Sequence, residues 1–238
     1  DSSMRSQLRS ERMKVDLVTN VSHDLRTPLT SLIGYLDLLA KLELSPVARD
    51  YVNVLTDKAN HLKNLVSDVF VLAKATGGDE DVALERIDLF VLCEQTLADL
   101  EDAVLRSGRE IRVSREEVSA PILSNGTKVY RIFQNLIDNA LKYSMPGTRI
   151  WVNMHIDGEF ARVQVKNTAG YEMHFSKEEI LERFFRGDSS RTGDGSGLGL
   201  AIAKSFADQL GGLLDITIDG DQFSAEISFR LTEENGLS

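Results

Sequence analysis

The chain has 238 residues, 42% of them hydrophobic and 27% charged, and a net charge of −10 at neutral pH. That length and mix suit one or two domains with a buried core and exclude whole-chain disorder. The acidic balance disfavours a general nucleic-acid binder. The single cysteine, Cys93, excludes an internal disulfide and a thiolate metal cluster, and no apolar run reaches the ~18–20 residues of a membrane span.

Charge and glycine are unevenly spread. Residues 1–75 carry 10 Lys and Arg against 9 Asp and Glu, so nearly all the negative charge lies beyond them. Gly34 is the one glycine before Gly77, whereas the stretch from Gly187 to Gly199 holds five. These shifts predict a helical N-terminal part and a mixed C-terminal part. The start at Asp1, inside a polar and helix-like stretch, reads as a cut within a longer protein.

The first element is a helix from about Arg5 to Lys41. Leu8, Val15, Val18, Leu25, Leu29, Leu32, Leu36 and Leu39 fall on heptad a and d positions, interrupted by Glu11 and Ser22. Ser45-Pro46 marks a restart, with a capping hydroxyl followed by a residue suited to the first helical position. A second stripe runs through Tyr51, Leu55, Leu62, Leu65, Val69 and Leu72 before Gly77-Gly78 ends it. Two amphipathic helices with a short loop predict an antiparallel hairpin over 1–76. One hairpin cannot cover both seams, and a homodimer would complete a four-helix bundle.

Residues 77–86 read as a linker. From 87 to 238 helical and β-branched segments mix. Leu89–Arg106, Thr127–Tyr143 and Gly197–Leu210 are expected to be helical. Glu110–Ser114, Arg149–Ile156, Ala161–Lys166, Leu213–Ile218 and Gln222–Leu231 are expected to be extended, with turns at Asp157-Gly158 and Asp219-Gly220. Strands without βαβ alternation predict an α+β two-layer sandwich, one mixed sheet with helices on one face.

Three constellations carry chemistry. In Ser22-His23-Asp24-Leu25-Arg26-Thr27-Pro28, the heptad frame puts His23 and Thr27 one turn apart on the solvent face. Pro28 removes the N–H that would bond the Asp24 carbonyl, so a bend is expected beside His23. An exposed imidazole next to a carboxylate can act as a nucleophile, one ring nitrogen donating to Asp24 and the other keeping its lone pair. The same residues also describe a surface histidine in a charged helix.

In Asn135-Leu136-Ile137-Asp138-Asn139-Ala140-Leu141-Lys142-Tyr143, helical spacing puts Asn135, Asn139, Lys142 and Tyr143 on one face. Amide oxygens can hold Mg²⁺ and Lys142 can neutralise phosphate; an amphipathic helix with a polar face is the plainer account. The third constellation, Gly193-Asp194-Gly195-Ser196-Gly197-Leu198-Gly199-Leu200, opens a helix. Glycines there allow close backbone approach, and the helix start offers N–H groups to phosphate. A flexible connector fits too. The loop lacks the Gly-Lys-Ser/Thr ending of a P-loop and the preceding strand of a Rossmann fingerprint.

Taken in this order and spacing, the three constellations resemble the transmitter portion of a sensor histidine kinase of a two-component system. His23 to Pro28 resembles the phosphoacceptor box and Asn135 to Tyr143 the N box. Arg183-Phe184-Phe185-Arg186-Gly187-Asp188 resembles the F box, and Gly195 to Leu200 the second glycine box. The resemblance covers nearly the whole chain. It implies a dimerisation and histidine-phosphotransfer hairpin, residues 1–14 ending a membrane-proximal signalling helix, then a catalytic domain of the Bergerat, Hsp90-like ATP-binding type with a lid at about 171–196.

It further implies that Mg²⁺ and ATP bind with Asn139 and Asn135 on the metal, and Lys142, Tyr143 and the backbone at Gly195, Gly197, Leu198 and Gly199 on the phosphates. Phe185 would pin the lid. His23 would take the γ-phosphoryl group with Asp24 orienting it, and pass it to an aspartate of a response-regulator receiver domain. Thr27 matches the position that orients water for phosphatase action. Members are commonly membrane receptors, so this chain would be the cytoplasmic portion, soluble in itself and tied to a membrane only through a missing N-terminal part.

One box departs from the family pattern. The first glycine box usually reads Asp-x-Gly-x-Gly, its Asp accepting from the adenine amino group. Here Val165-Lys166-Asn167-Thr168-Ala169-Gly170 stands in that place. An Asn oxygen can accept the same bond without charge assistance. That departure keeps open a phosphatase-dominant homologue and an ATP-gated non-catalytic scaffold.

Overall fold

The computed structural model describes residues 21, 22, 24–76, 83–181 and 197–232. They fall into two compact units, one built on 24–76 and the other on 83–181 and 199–232. Among the described residues no helix is long and apolar enough to cross a membrane.

The first unit pairs helix α1, residues 24–40, with α2, Pro46–Thr76. Helical backbone continues across Pro28, so the proline does not end α1. The hydroxyls of Thr30 and Ser31 donate to the Arg26 and Thr27 carbonyls at 2.9 and 3.3 Å. Ser45 caps α2 by accepting from the Ala48 N–H. Leu29, Ile33 and Leu36 pack on Ala59, and the Arg26 guanidinium lies 5.5 Å from the centre of the Phe70 ring. Residues early in α1 thus meet residues late in α2, which makes the hairpin antiparallel.

This packing uses half of what the heptad offers. The a row, Ser22, Leu29 and Leu36, is buried, while the d row, Leu25, Leu32 and Leu39, is exposed. On α2 the structure corrects the first half of the expected stripe and keeps its end. Val52, Ala59 and Val66, a seven-residue repeat, are buried together with Leu72, while Leu65 and Val69 are half-buried. Tyr51, Leu55 and Leu62 face away and stay exposed. Small side chains at the contact let the helix axes approach, and the bulkier ones are left for another surface.

The second unit is an α+β sandwich. Its main sheet has the order β2 (Glu110–Arg115), β4 (Arg149–Asp157), β5 (Phe160–Thr168), β7 (Gln222–Arg230), β6 (Leu213–Asp219). β2 runs parallel to β4 and the remaining neighbours are antiparallel, so the sheet is mixed as expected. Alternation sends Ile150, Val152 and Met154 of β4, Val163 and Val165 of β5, and Ala225 and Ile227 of β7 to one buried face. Helices α3 (Leu89–Asp99), α5 (Gly126–Tyr143), the short α6 (Lys177–Leu181) and α7 (Gly199–Gln209) belong to this unit, and α5 packs on α3, α7 and β5.

Two features depart from the sequence reading. The single helix expected over 89–106 is broken at Leu100 into α3 and α4, Glu101–Ser107, which ends at a left-handed Gly108. A short second sheet pairs β1 (Glu85–Asp88) with β3 (Pro121–Ser124). β1 thus begins two residues ahead of the expected start of this domain. Asp88 joins the pieces. One carboxylate oxygen accepts from the Phe90 and Val91 N–H groups and caps α3; the other accepts from the Ser119 hydroxyl and the Ala120 N–H. Burial pushes its pKa up, but these four bonds outweigh that and hold it below the ordinary value.

Candidate functional site

The site is assembled on α5. Asn125 starts this helix by accepting from the Lys128 N–H at 3.0 Å, while its own amide donates to the Ala83 carbonyl. Val129, Ile132, Phe133, Leu136, Ile137, Ala140 and Leu141 bury the apolar face. That face therefore dictates the other one, where Asn135, Asn139, Lys142 and Tyr143 are half-buried. The Lys142 ammonium stands 4.9 Å from the centre of the Tyr143 ring.

The end of α5 is anchored to the end of β5. The Met145 N–H donates to the Thr168 carbonyl at 2.8 Å, and Ser144 bridges Ala169. Arg109 reinforces the corner by donating to the Ser144 carbonyl at 2.8 Å and the Ser107 carbonyl at 2.7 Å. Sequence reasoning did not single out Arg109. It lies 35 residues from Ser144, and nothing in its neighbourhood marks it.

This corner sets Asn167 beside the last turns of α5. Asn167 occupies the same face of β5 as Val163 and Val165, and it is 2% exposed. Neither its Oδ1 nor its Nδ2 has a hydrogen-bond partner in the protein. An uncompensated buried amide costs about 1–3 kcal/mol. It is retained here, so a bound molecule with complementary polar atoms is the natural partner. Gly170, where the second glycine of the box would be shifted, has open space around it and needs glycine for neither room nor a positive φ.

The start of α7 meets α5 from the other side. The first residue of α7, Gly199, faces Asn135: a Cβ added there would lie 3.2 Å from the Asn135 Oδ1. Asn135 is oriented by its own Nδ2, which donates to the Arg131 carbonyl at 2.9 Å and turns the oxygen toward α7. Gly197, at φ +68, adopts a left-handed conformation that a side chain would strain, and Leu198 is fully buried. Two glycines of the box thus have reasons in the chain's own packing. Lys128, donating to Gln209 at 2.9 Å and lying over the Phe206 ring, ties α5 to α7 a second time.

These residues suit a magnesium nucleotide. The Asn135 and Asn139 side-chain oxygens are hard donors of the kind Mg²⁺ takes alongside phosphate oxygens. Asn167 supplies the orphaned polar atoms, and the Gly199 cradle keeps the start of α7 close to the amide face of α5. Asp24 and Thr27 of α1 are exposed. His23, Phe185 and Gly195 lie outside the described residues, as does the whole F box. Cys93 is not an alternative nucleophile, because burial pushes its thiol up to about 12.

Comparison with known proteins agrees with this division. Residues 13–78 match the His Kinase A (phospho-acceptor) domain, and residues 124–235 match the histidine kinase-, DNA gyrase B- and HSP90-like ATPase. Sensor protein VanS of Enterococcus faecium is 31% identical over 85% of this chain and 53% of its own length. The phosphate regulon sensor protein PhoR of Pseudomonas aeruginosa is 34% identical over 82% of this chain and 44% of its own. Among solved structures, full-length ShkA in complex with AMPPNP superimposes with a TM-score of 0.75 at 26% identity, over 91% of this chain and 46% of that one. The chain spans about half the length of the first of these relatives.

Proposed function

The chain belongs to the two-component sensor histidine kinases, and from that premise we propose that it phosphorylates His23 from ATP and relays the phosphoryl group to a response regulator. The observation that carries the proposal is the corner of α5, β5 and α7. There a buried and unpartnered Asn167, an amide-bearing helix face and a glycine-led helix start converge within one unit.

In the proposed reaction a neutral His23 ring nitrogen attacks the γ-phosphorus in line. A P–N bond forms, the bond to the β–γ bridging oxygen breaks, and ADP departs with the electron pair. Asp24 orients the imidazole through its other nitrogen and accepts that nitrogen's proton as positive charge develops on the ring. Lys142 and Tyr143 hold the phosphates, and the Asn167 amide accepts from the base. Mg²⁺ held by Asn139 and Asn135 would neutralise charge on the β- and γ-oxygens. The rest of the rate comes from positioning.

The phosphohistidine then donates to an aspartate carboxylate of a receiver domain. Thr27, exposed one turn beyond position 23, supports a separate, water-dependent dephosphorylation of that regulator, releasing inorganic phosphate. Homodimerisation through the hairpin is supported by Leu25, Leu32, Leu39, Tyr51, Leu55 and Leu62, all large, apolar and exposed. A receptor setting, with this chain as the cytoplasmic part, follows by likeness to sensor proteins.

The test is incubation with γ-labelled ATP and Mg²⁺, comparing the wild type with His23→Gln. Acid-labile, base-stable label that is absent from the variant is the expected result. No label on a folded dimer at millimolar ATP would overturn the kinase reading and move the weight to Thr27 and the phosphatase.

A further inference from the structure

The amide at 167 differs from a carboxylate in more than charge. A carboxylate only accepts hydrogen bonds, whereas an amide accepts at one atom and donates at the other. A purine with a 6-amino group, as in adenine, offers a donor at that corner. A purine with a 6-oxo group, as in hypoxanthine or guanine, offers an acceptor. Facing a 6-oxo group, a carboxylate sets two acceptors against each other with a negative charge between them, and a buried site built that way rejects the oxo base strongly. An amide meets either base by turning over about its last torsion.

Whether it can turn depends on what else holds it. In this structure nothing does. Asn167 is 2% exposed, and neither its Oδ1 nor its Nδ2 is engaged by the protein. Its backbone is held in the β5–β7 ladder opposite Phe223, so the position is rigid while the amide orientation is open. The residue after next, Ala169, donates its N–H to the Asp221 carbonyl at 2.7 Å, which keeps the strand end in place whichever way the amide faces.

Resting on the nucleotide-site reading above, we propose that Asn167 makes this site tolerant at purine C6, so that it takes 6-oxo as well as 6-amino purine nucleotides. The test is displacement of trinitrophenyl-ATP from the full chain, with Mg²⁺, by ADP, inosine diphosphate and GDP. Inosine diphosphate is the decisive competitor, because it changes the 6-position without adding the 2-amino group of guanine.

Wild-type protein is expected to bind inosine diphosphate within about tenfold of ADP. Asn167→Asp is expected to widen that gap to roughly a hundredfold or more, by tightening ADP and weakening the 6-oxo nucleotide. Circular dichroism of the variant shows whether the buried carboxylate is tolerated; if it is not, the wild-type ratio decides alone. A wild type that binds ADP and discriminates against inosine diphosphate by more than a hundredfold overturns the tolerance and leaves the nucleotide site standing. Failure of every nucleotide to displace the probe overturns both.

Discussion

The two units of the chain solve the burial problem differently. The sandwich completes its core within one chain: Phe90, Phe133, Ile132, Ile137, Ile150 and Ile227 are at most 0% exposed. Among the described residues the hairpin does not reach that. Its best-covered apolar side chains, Leu29, Leu36, Val52, Ala59, Val66 and Leu72, keep 6–9% exposure, and larger residues beside them stay half open. Two helices touch along one line and leave a second stripe on each, whereas a sheet covered by three helices closes over its inner face. The sandwich thus closes a core of its own, whereas the described residues of the hairpin leave apolar rows uncovered.

The largest effect follows from charging the open row. Leu25→Glu with Leu32→Glu places carboxylates in the d row that the chain leaves exposed. Buried and unpaired charges cost about 3–5 kcal/mol each, enough to dissociate a dimer built on that row. The expected outcome in sedimentation equilibrium is a monomer, with helical signal lost from the hairpin and the sandwich still folded. A variant that stays dimeric with unchanged helicity would place the dimer contact elsewhere.

A core truncation in the sandwich should behave in the opposite way. Phe133→Ala removes a fully buried ring from the apolar face of α5 and should cost about 3–5 kcal/mol. Because that core is contained in one chain, the loss should not depend on protein concentration, while hairpin stability in the wild type should. Urea midpoints measured over a hundredfold range of concentration separate the two cases.

What the sequence revealed of this contrast depended on how strongly each element is patterned. α5 was legible almost to its ends because its apolar face repeats without interruption. The five strands of the main sheet announced themselves by alternation and by their glycine turns. β1 and β3, four residues each, are too short to show a period, and Leu100 breaks a helix without glycine or proline. On α2 the bulky Tyr51, Leu55 and Leu62 drew attention away from Val52, Ala59 and Val66, whose smaller size is what permits the contact. At the site, the residue types of Asn135, Asn139 and Asn167 were legible. The Arg109 brace and the contact of Gly199 with Asn135 arise only when distant segments meet.

The smallest expected effect concerns Asp88, and it sharpens the contrast because its bonds are all internal to the sandwich. Asp88→Ala loses the cap of α3 together with the bonds to Ser119 and Ala120, and should cost about 1–2 kcal/mol at neutral pH. Asp88→Asn keeps an acceptor for the cap and should cost less. The folded-state pKa of Asp88 is below the ordinary value, so the unfolded chain binds its proton at higher pH than the folded one does. The charge-dependent part of the stability is therefore fully present above about pH 4, near the unfolded carboxylate value, and is lost as pH falls through the folded value. The gap between wild type and Asp88→Ala should narrow as the pH is lowered below about 4 in urea titrations. A gap that stays constant across that range would mean that the carboxylate acts through its shape rather than its charge.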